Sequence, residues 1–139
     1  LPAPFDGLVV YANYSYTDSE VMEFKPTDNP YALGGLSKDI GSLTLWYDKD
    51  GFDARVSYNY RSEYTGINSW VPSNVNLNDA ETTIDASIGY QVTKNLKLTF
   101  QGQNLTNQAS VNYWDNDKTK PAYNVEWGRR FLVGFQLSM

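Results

Sequence analysis

Hydrophobic residues fall at every second position through most of this chain. The run Phe52-Asp53-Ala54-Arg55-Val56-Ser57-Tyr58-Asn59-Tyr60-Arg61 is apolar at even numbers and charged or polar at odd ones. A period of two marks a strand with two unlike faces. Counting it along the sequence predicts six strands, near 7–17, 40–48, 51–61, 82–92, 95–105 and 123–139. Each is close to the roughly ten residues that a tilted strand needs to cross a bilayer. Leu8, Val10, Ala12, Tyr14 and Tyr16 share the greasy face of the first, and Leu43, Leu45 and Tyr47 that of the second. Phe52 to Tyr60, Ile84 to Val92, Leu96 to Phe100, and Trp127 with Phe131 to Met139 continue the pattern. No charge falls on any of these faces. At a bilayer midplane a Lys or Arg there costs roughly 2–4 kcal/mol.

The connections alternate in length. Asp48-Lys49-Asp50-Gly51 and Thr93-Lys94-Asn95 are short, whereas 18–39, 62–81 and 106–122 are long and rich in Asn, Asp, Pro, Gly and aromatics. Short turns at one end and long loops at the other are how transmembrane barrels differ between their two sides. The tight turns set a register in which Tyr47 opposes Phe52, Leu45 meets Ala54, and Trp46 faces Asp53. In the second hairpin Val92 opposes Leu96 and Ile88 meets Phe100. A slip of one residue would carry charges to the greasy side. Six strands are too few to close, since about eight are needed before a barrel interior can hold side chains. Open edges in lipid leave backbone groups unsatisfied. The chain therefore reads as part of a larger barrel, and its opening Leu-Pro-Ala-Pro as that of a fragment or a processed protein.

Composition narrows the function. There is no Cys, hence no disulfide or thiolate metal site, and no His, which removes the commonest general base and makes a Ser-His hydrolase untenable. We expect no enzymatic activity, no cofactor and no bound metal. Asp48/Asp50 and Asp115/Asp117 have the spacing of Ca²⁺ ligands but lack the Glu that completes such a loop. A net charge of −5 disfavours nucleic acid. The mean hydropathy of −0.51 is compatible with lipid exposure, because only alternate residues need be apolar.

Gly35-Leu36-Ser37-Lys38, Leu43-Thr44-Leu45-Trp46-Tyr47, the run from Gly51 to Ser62, Asn104-Leu105-Thr106-Asn107, Tyr123 and Gly128-Arg129-Arg130-Phe131 together resemble the late barrel of TonB-dependent outer-membrane receptors. The resemblance implies an all-β antiparallel meander of about six transmembrane strands. Residues 1–139 would be the C-terminal part of a barrel of about 22 strands around a plug. It implies outer-membrane lipid, the receptor's own plug and remaining strands, and TonB as partners, with energised uptake of a scarce ligand as the function. The final Gly134-Phe135-Gln136-Leu137-Ser138-Met139 resembles the signal read by the barrel-assembly machinery, although that family usually closes on an aromatic.

Two sets of residues are candidates for ligand contact. Tyr31, Tyr64, Trp70, Tyr113 and Trp114, with Asn68, Asn112, Asp115 and Asn116, lie in the long connections, where flat rings and amides suit a sugar or a siderophore-like group. Trp46, Asp53, Arg55, Arg61 and Asp85, with Glu63, face the lumen, either to meet ligand or plug or simply to hydrate the wall. The loops carry no basic cluster for an anionic chelate, which favours a glycan or another polar organic molecule. The competing reading is a soluble carbohydrate-binding β-sandwich that displays Trp70 and Trp114. That alternative requires a second protein layer over Val56, Ile88, Phe100 and Val133.

Overall fold

The computed structural model describes residues 5–20, 33–67 and 75–138. A single 3₁₀ turn, Phe5–Gly7, leads into β1 (Leu8–Tyr16). There follow β2 (Asp39–Lys49), β3 (Phe52–Arg61), β4 (Tyr64–Ile67), β5 (Val75–Asn78) and β6 (Glu81–Thr93). The chain ends with β7 (Leu96–Gln103), β8 (Ala109–Trp114), β9 (Pro121–Glu126) and β10 (Arg130–Leu137). Six strands form one antiparallel sheet in the order β1-β2-β3-β6-β7-β10, and four form a second in the order β4-β5-β8-β9.

The first sheet is the meander read from the sequence, and its rows keep the two chemistries apart. Val10, Leu45, Val56, Ala86, Gly102 and Phe131 form one lateral row of the apolar face. Leu8, Tyr47, Ala54, Ile88, Phe100 and Val133 form the next. No layer covers them: Val56, Ile88, Phe100 and Val133 are 44%, 49%, 47% and 82% exposed. Among the described residues the buried apolar side chains are Val75 and Leu77, both on β5 of the other sheet. A soluble sandwich must bury one inner face of its sheet, and this sheet buries neither. The carbohydrate-module alternative is therefore rejected by the exposure of those four residues.

Three sequence expectations need correction. First, the β2–β3 register is shifted by two residues: Tyr47 opposes Ala54, Leu45 opposes Val56, and Trp46 faces Arg55 rather than Asp53. Asp48 and Lys49 prolong the ladder, leaving a two-residue loop with Asp50 at φ 52° and Gly51 at φ 80°. Positive φ at both loop positions gives the turn whose twist matches that of the flanking strands. A shift of two preserves every side chain's face. The β6–β7 hairpin pairs Ile88 with Phe100 as expected, but a bulge between Gln91 and Thr93 sets Thr93, not Val92, against Leu96.

Second, the connections 62–81 and 106–122 are not plain loops, since they contain β4, β5 and β8 and the start of β9. Third, the strand expected over 123–139 is interrupted. β9 belongs to the second sheet, residues 127–129 break the ladder, and β10 rejoins the first. The lateral order is the same in both sheets. Strands β3, β6, β7 and β10 thus continue past a bend as β4, β5, β8 and β9.

The bend is held by side chains on backbone. Asn104, at φ 52°, accepts hydrogen bonds at its Oδ1 from Gln108 N (2.8 Å) and Thr106 Oγ1 (3.2 Å). Its Nδ2 donates to Gln108 O (3.2 Å) and Gly128 O (3.1 Å), and its N–H donates to Asp85 Oδ1 (2.8 Å). Arg129 Nε donates to Leu105 O at 2.9 Å, and Thr106 Oγ1 to Thr82 O at 2.8 Å. The Asn-Leu-Thr-Asn motif is thus a structural knot joining β6, β7 and the approach to β10. At the neighbouring bend Ser62 exchanges two bonds with Asp39: Ser62 N donates to Asp39 O (2.8 Å), and Asp39 N to Ser62 Oγ (2.9 Å).

Candidate ligand-binding site

The second sheet gathers several of the loop candidates onto one face. Tyr64, Asn78, Asn112 and Tyr123 oppose one another in a single row, and Gly66, Asn76 and Trp114 form the adjacent row. Aromatic rings on the two flanks therefore bracket three asparagines. Asn112 Nδ2 donates to Asn78 Oδ1 at 2.9 Å, which fixes the middle of the ladder. Trp114 and Tyr123 are 40% and 51% exposed, whereas Asn112 is buried. The rings are therefore the reachable part of this face. Tyr113 points to the opposite face with Leu77 and Thr65, and its hydroxyl reaches Asp79 Oδ2 at 3.5 Å.

Tyr64 is half-buried beneath Arg61, whose guanidinium carbon lies 3.7 Å from the ring centroid. The same guanidinium donates to Ser37 Oγ (2.6 Å) and Gly35 O (2.8 Å). One lumen candidate and one loop candidate thus clasp the segment 35–37 together, and a stacked cation in this position contributes roughly 0.5–2 kcal/mol.

Asp115 and Asn116, both at φ 55°, form the tip between β8 and β9. Lys120 Nζ lies 2.9 Å from Asp115 Oδ2, and Asp117 Oδ1 accepts from Thr119 N (2.9 Å) and Thr119 Oγ1 (2.7 Å). These carboxylates do turn chemistry, and among the described residues no acidic cluster is arranged to hold a metal ion. Bonds from the Thr119 backbone and hydroxyl keep Asp117 below the usual carboxylate range. Lys118 bridges Glu63 (2.8 Å) and Asp79 (3.1 Å), tying this tip to the bases of β4 and β6. Hydrogen bonds to Glu63 and then Asp79 hold its ammonium well above the ordinary lysine value. Burial acts to raise Asp79, but Lys118 and the Ala80 N–H outweigh it and leave the carboxyl below the usual range. Tyr31, Asn68 and Trp70 lie outside the described residues, as does Met139.

A cavity of about 470 Å³ opens between the end of β1 and the base of the second sheet, lined in part by Asp18, Lys38, Asp39, Glu63, Tyr64 and Thr65. Its size suits a small polar molecule. Most of its charges are already engaged: Lys38 with Asp18 at 3.6 Å, Glu63 with Lys118, and Asp39 accepting from Tyr14 OH at 2.5 Å.

Trp46, Asp53, Arg55, Arg61 and Asp85 sit on the polar face, whereas Glu63 lies at the bend beyond β3. Asp53 pairs with Lys97 beside Gly89, where a Cβ would fall on the Asp53 carboxylate and 2.7 Å from Lys97 Cε. Asp85 is occupied by the Asn104 N–H. Trp46, 48% exposed, shares a row with Val9, Arg55, Ser87, Gln101 and Leu132. Sequence reasoning missed Asn76, Asn78 and Tyr123. The alternation Val75-Asn76-Leu77-Asn78 and Tyr123-Asn124-Val125 was the signal that would have found them.

A family model described as TonB dependent receptor-like, beta-barrel matches residues 4–105. No curated protein and no solved structure matches the chain.

Proposed function

We propose that this chain, which belongs to the TonB-dependent receptor β-barrel family, supplies late strands of the wall and part of the outer mouth of a receptor for a glycan-like ligand. The family's work is TonB-dependent transport across the outer membrane, and it is not an enzyme family. The carrying observation is the apolar face whose two central rows run unbroken across six strands with nothing over them, its charges, Asp39 and Lys49, standing only at the two ends of β2. Lipid is the natural cover for such a face, and the free edges of β1 and β10 call for the remaining strands of a closed barrel. We place a plug in its lumen, TonB as the energy source, and the barrel-assembly machinery as the reader of the last strand.

The ligand reading rests on the outer sheet. Trp114 and Tyr123 offer ring faces beside amides, the combination that holds hydroxyl-rich rings, while the sheet's cations are spent on neighbouring carboxylates. That arrangement favours an oligosaccharide over an anionic siderophore-like chelate. Fractionation of cells producing the intact receptor should recover it in the outer membrane, released by detergent and not by high salt. Recovery in the soluble fraction overturns the barrel assignment. In binding assays Trp114→Ala and Trp70→Ala should weaken oligosaccharide affinity, and unchanged affinity in both removes those side chains from the site.

A further inference from the structure

We infer that the cavity between the end of β1 and the base of the second sheet seats the sugar headgroup of a glycolipid in the outer leaflet; this rests on the lipid cover of the apolar face argued above. Its side of the wall comes first. Asp39 opposes Tyr16, and Tyr60 opposes Gly41, in rows that belong to the apolar face. Both Asp39 and Tyr60 line the cavity. It therefore opens towards lipid and not into the lumen, so a plug does not cover it.

Depth comes second. Asp39 and Lys49 are the first and last of the 11 residues of β2, and they are the charges on its apolar face. Each has its own partner there: Tyr14 OH donates to Asp39 Oδ1 at 2.5 Å, and Lys49 Nζ lies 2.8 Å from Asp6 Oδ1. Along the strand they stand about 33 Å apart at ~3.3 Å per residue. At a tilt of ~45° that becomes roughly 23 Å of depth, close to the ~25 Å apolar band of a barrel. The two charges thus mark the borders of the hydrocarbon, with Asp39 at the end that carries the long connections. Tyr14, Tyr16 and Tyr60 stand at the same level, where rings with a polar tip meet headgroups. The cavity lies at that outer border.

The lining then selects the headgroup. Asp18, Asp39 and Glu63 outnumber the single cation, Lys38, which disfavours a headgroup that is only a phosphate. The carboxylates are not waiting for an amine either, since Lys38 lies 3.6 Å from Asp18, Lys118 lies 2.8 Å from Glu63, and Tyr14 donates to Asp39. What the cavity offers is hydrogen bonding without unspent charge. Each carboxylate has a second oxygen that can accept, and Thr17, Ser19, Ser62 and Thr65 bring hydroxyls that both donate and accept. Leu36 and Leu77 supply apolar wall for the carbon face of a ring. At about 470 Å³ the space is of small-molecule size, enough for a sugar and far more than an ethanolamine group fills.

The test is native mass spectrometry of the intact receptor in detergent. It is titrated with galactosyl diacylglycerol, phosphatidylethanolamine and phosphatidylglycerol carrying the same acyl chains, and with free methyl galactoside. The galactosyl lipid should bind about tenfold or more tighter than either phospholipid, the scale of charge-assisted hydrogen bonds to its hydroxyls. Asp39→Asn should reduce that preference by removing a charged acceptor, and Leu36→Trp should abolish it by filling the cavity. Unchanged heat-modifiable gel mobility shows that each variant is folded. Equal binding of the three lipids, a preference for either phospholipid, or a sugar preference that survives both variants overturns the seat. Methyl galactoside binding as tightly as its lipid also overturns it, because the site would then serve a soluble sugar. Those results leave the barrel reading intact, whereas a receptor that is soluble without detergent removes both.

Discussion

Val56 and Ser57 are adjacent in β3 and point to opposite faces, which makes them a matched pair for asking what covers the apolar side. Val56 lies in the middle one of five lateral rows, with Tyr60 two rows outward and Phe52 two rows inward. Eight residues separate those two rings, about 26 Å along a strand at ~3.3 Å per residue. At a tilt of ~45° that is roughly 19 Å of depth, inside the ~25 Å apolar band of a barrel, so Val56 sits near the midplane. Val56→Arg should cost about 2–4 kcal/mol, roughly 30- to 700-fold in the folding equilibrium, while Ser57→Arg on the hydrated side should cost well under ~1 kcal/mol. Val56→Phe separates lipid from a packed core. Lipid accommodates the larger ring at no steric cost, whereas overpacking a core costs about 1–3 kcal/mol. The assay is denaturant-induced unfolding of the intact receptor in phospholipid vesicles, followed by heat-modifiable gel mobility. A loss above ~1 kcal/mol for Val56→Phe, or a smaller loss for Val56→Arg than for Ser57→Arg, refutes lipid cover.

Three further outcomes follow from particular contacts. Gly89→Ala should break the Asp53–Lys97 pair while costing less than ~1 kcal/mol, because the displaced atoms are the ends of flexible side chains and a partly solvated pair contributes little; Asp53→Asn added to it should then change nothing further in a double-mutant cycle. Asn104→Ala should destabilise more than Asn104→Gly, by about 1 kcal/mol, since both lose the side-chain bonds but only Gly takes φ 52° freely; equal losses would mean the backbone there is unstrained. Asp79 is held below its unfolded pKa, so its stabilisation is present above the ordinary carboxylate value and lost as pH falls through the folded one. Lys118 is raised, so its contribution persists until pH rises past the ordinary lysine value. Hydrogen-exchange protection at Val111 and Asn112 should accordingly stay flat through neutral pH and drop in acid; a drop between pH 6 and 8 would contradict the assignment.

The transmembrane sheet was legible in the sequence because lipid imposes one rule on every residue of a long strand. Phe52 to Tyr60 and Ile84 to Tyr90 obey it without exception. The β2–β3 register came out two residues off for a local reason: Asp48 and Lys49 look like turn residues by composition, yet Asp50-Gly51 suffices for the turn. Once that register is known, Trp46 against Arg55 follows. The outer sheet was hidden by length. Val75-Asn76-Leu77-Asn78 alternates, but four residues among Asn, Pro and Ser carry little weight against a loop reading. The Arg61–Tyr64 stack was not visible at all, since residues three apart on a continuous strand face opposite ways. It exists because the chain bends at Ser62 and Glu63.

Four neighbouring strands carry on beyond that bend in unchanged lateral order, and on the proposed reading this sets how the mouth of the receptor can move. Tentacle-like loops admit a solute one at a time, each swinging independently. Here β4, β5, β8 and β9 are laced together by ladder bonds, so a tug on any tip is shared across the awning. Opening, if a cargo demands it, must tilt the whole panel about the Ser62 and Asn104 corners.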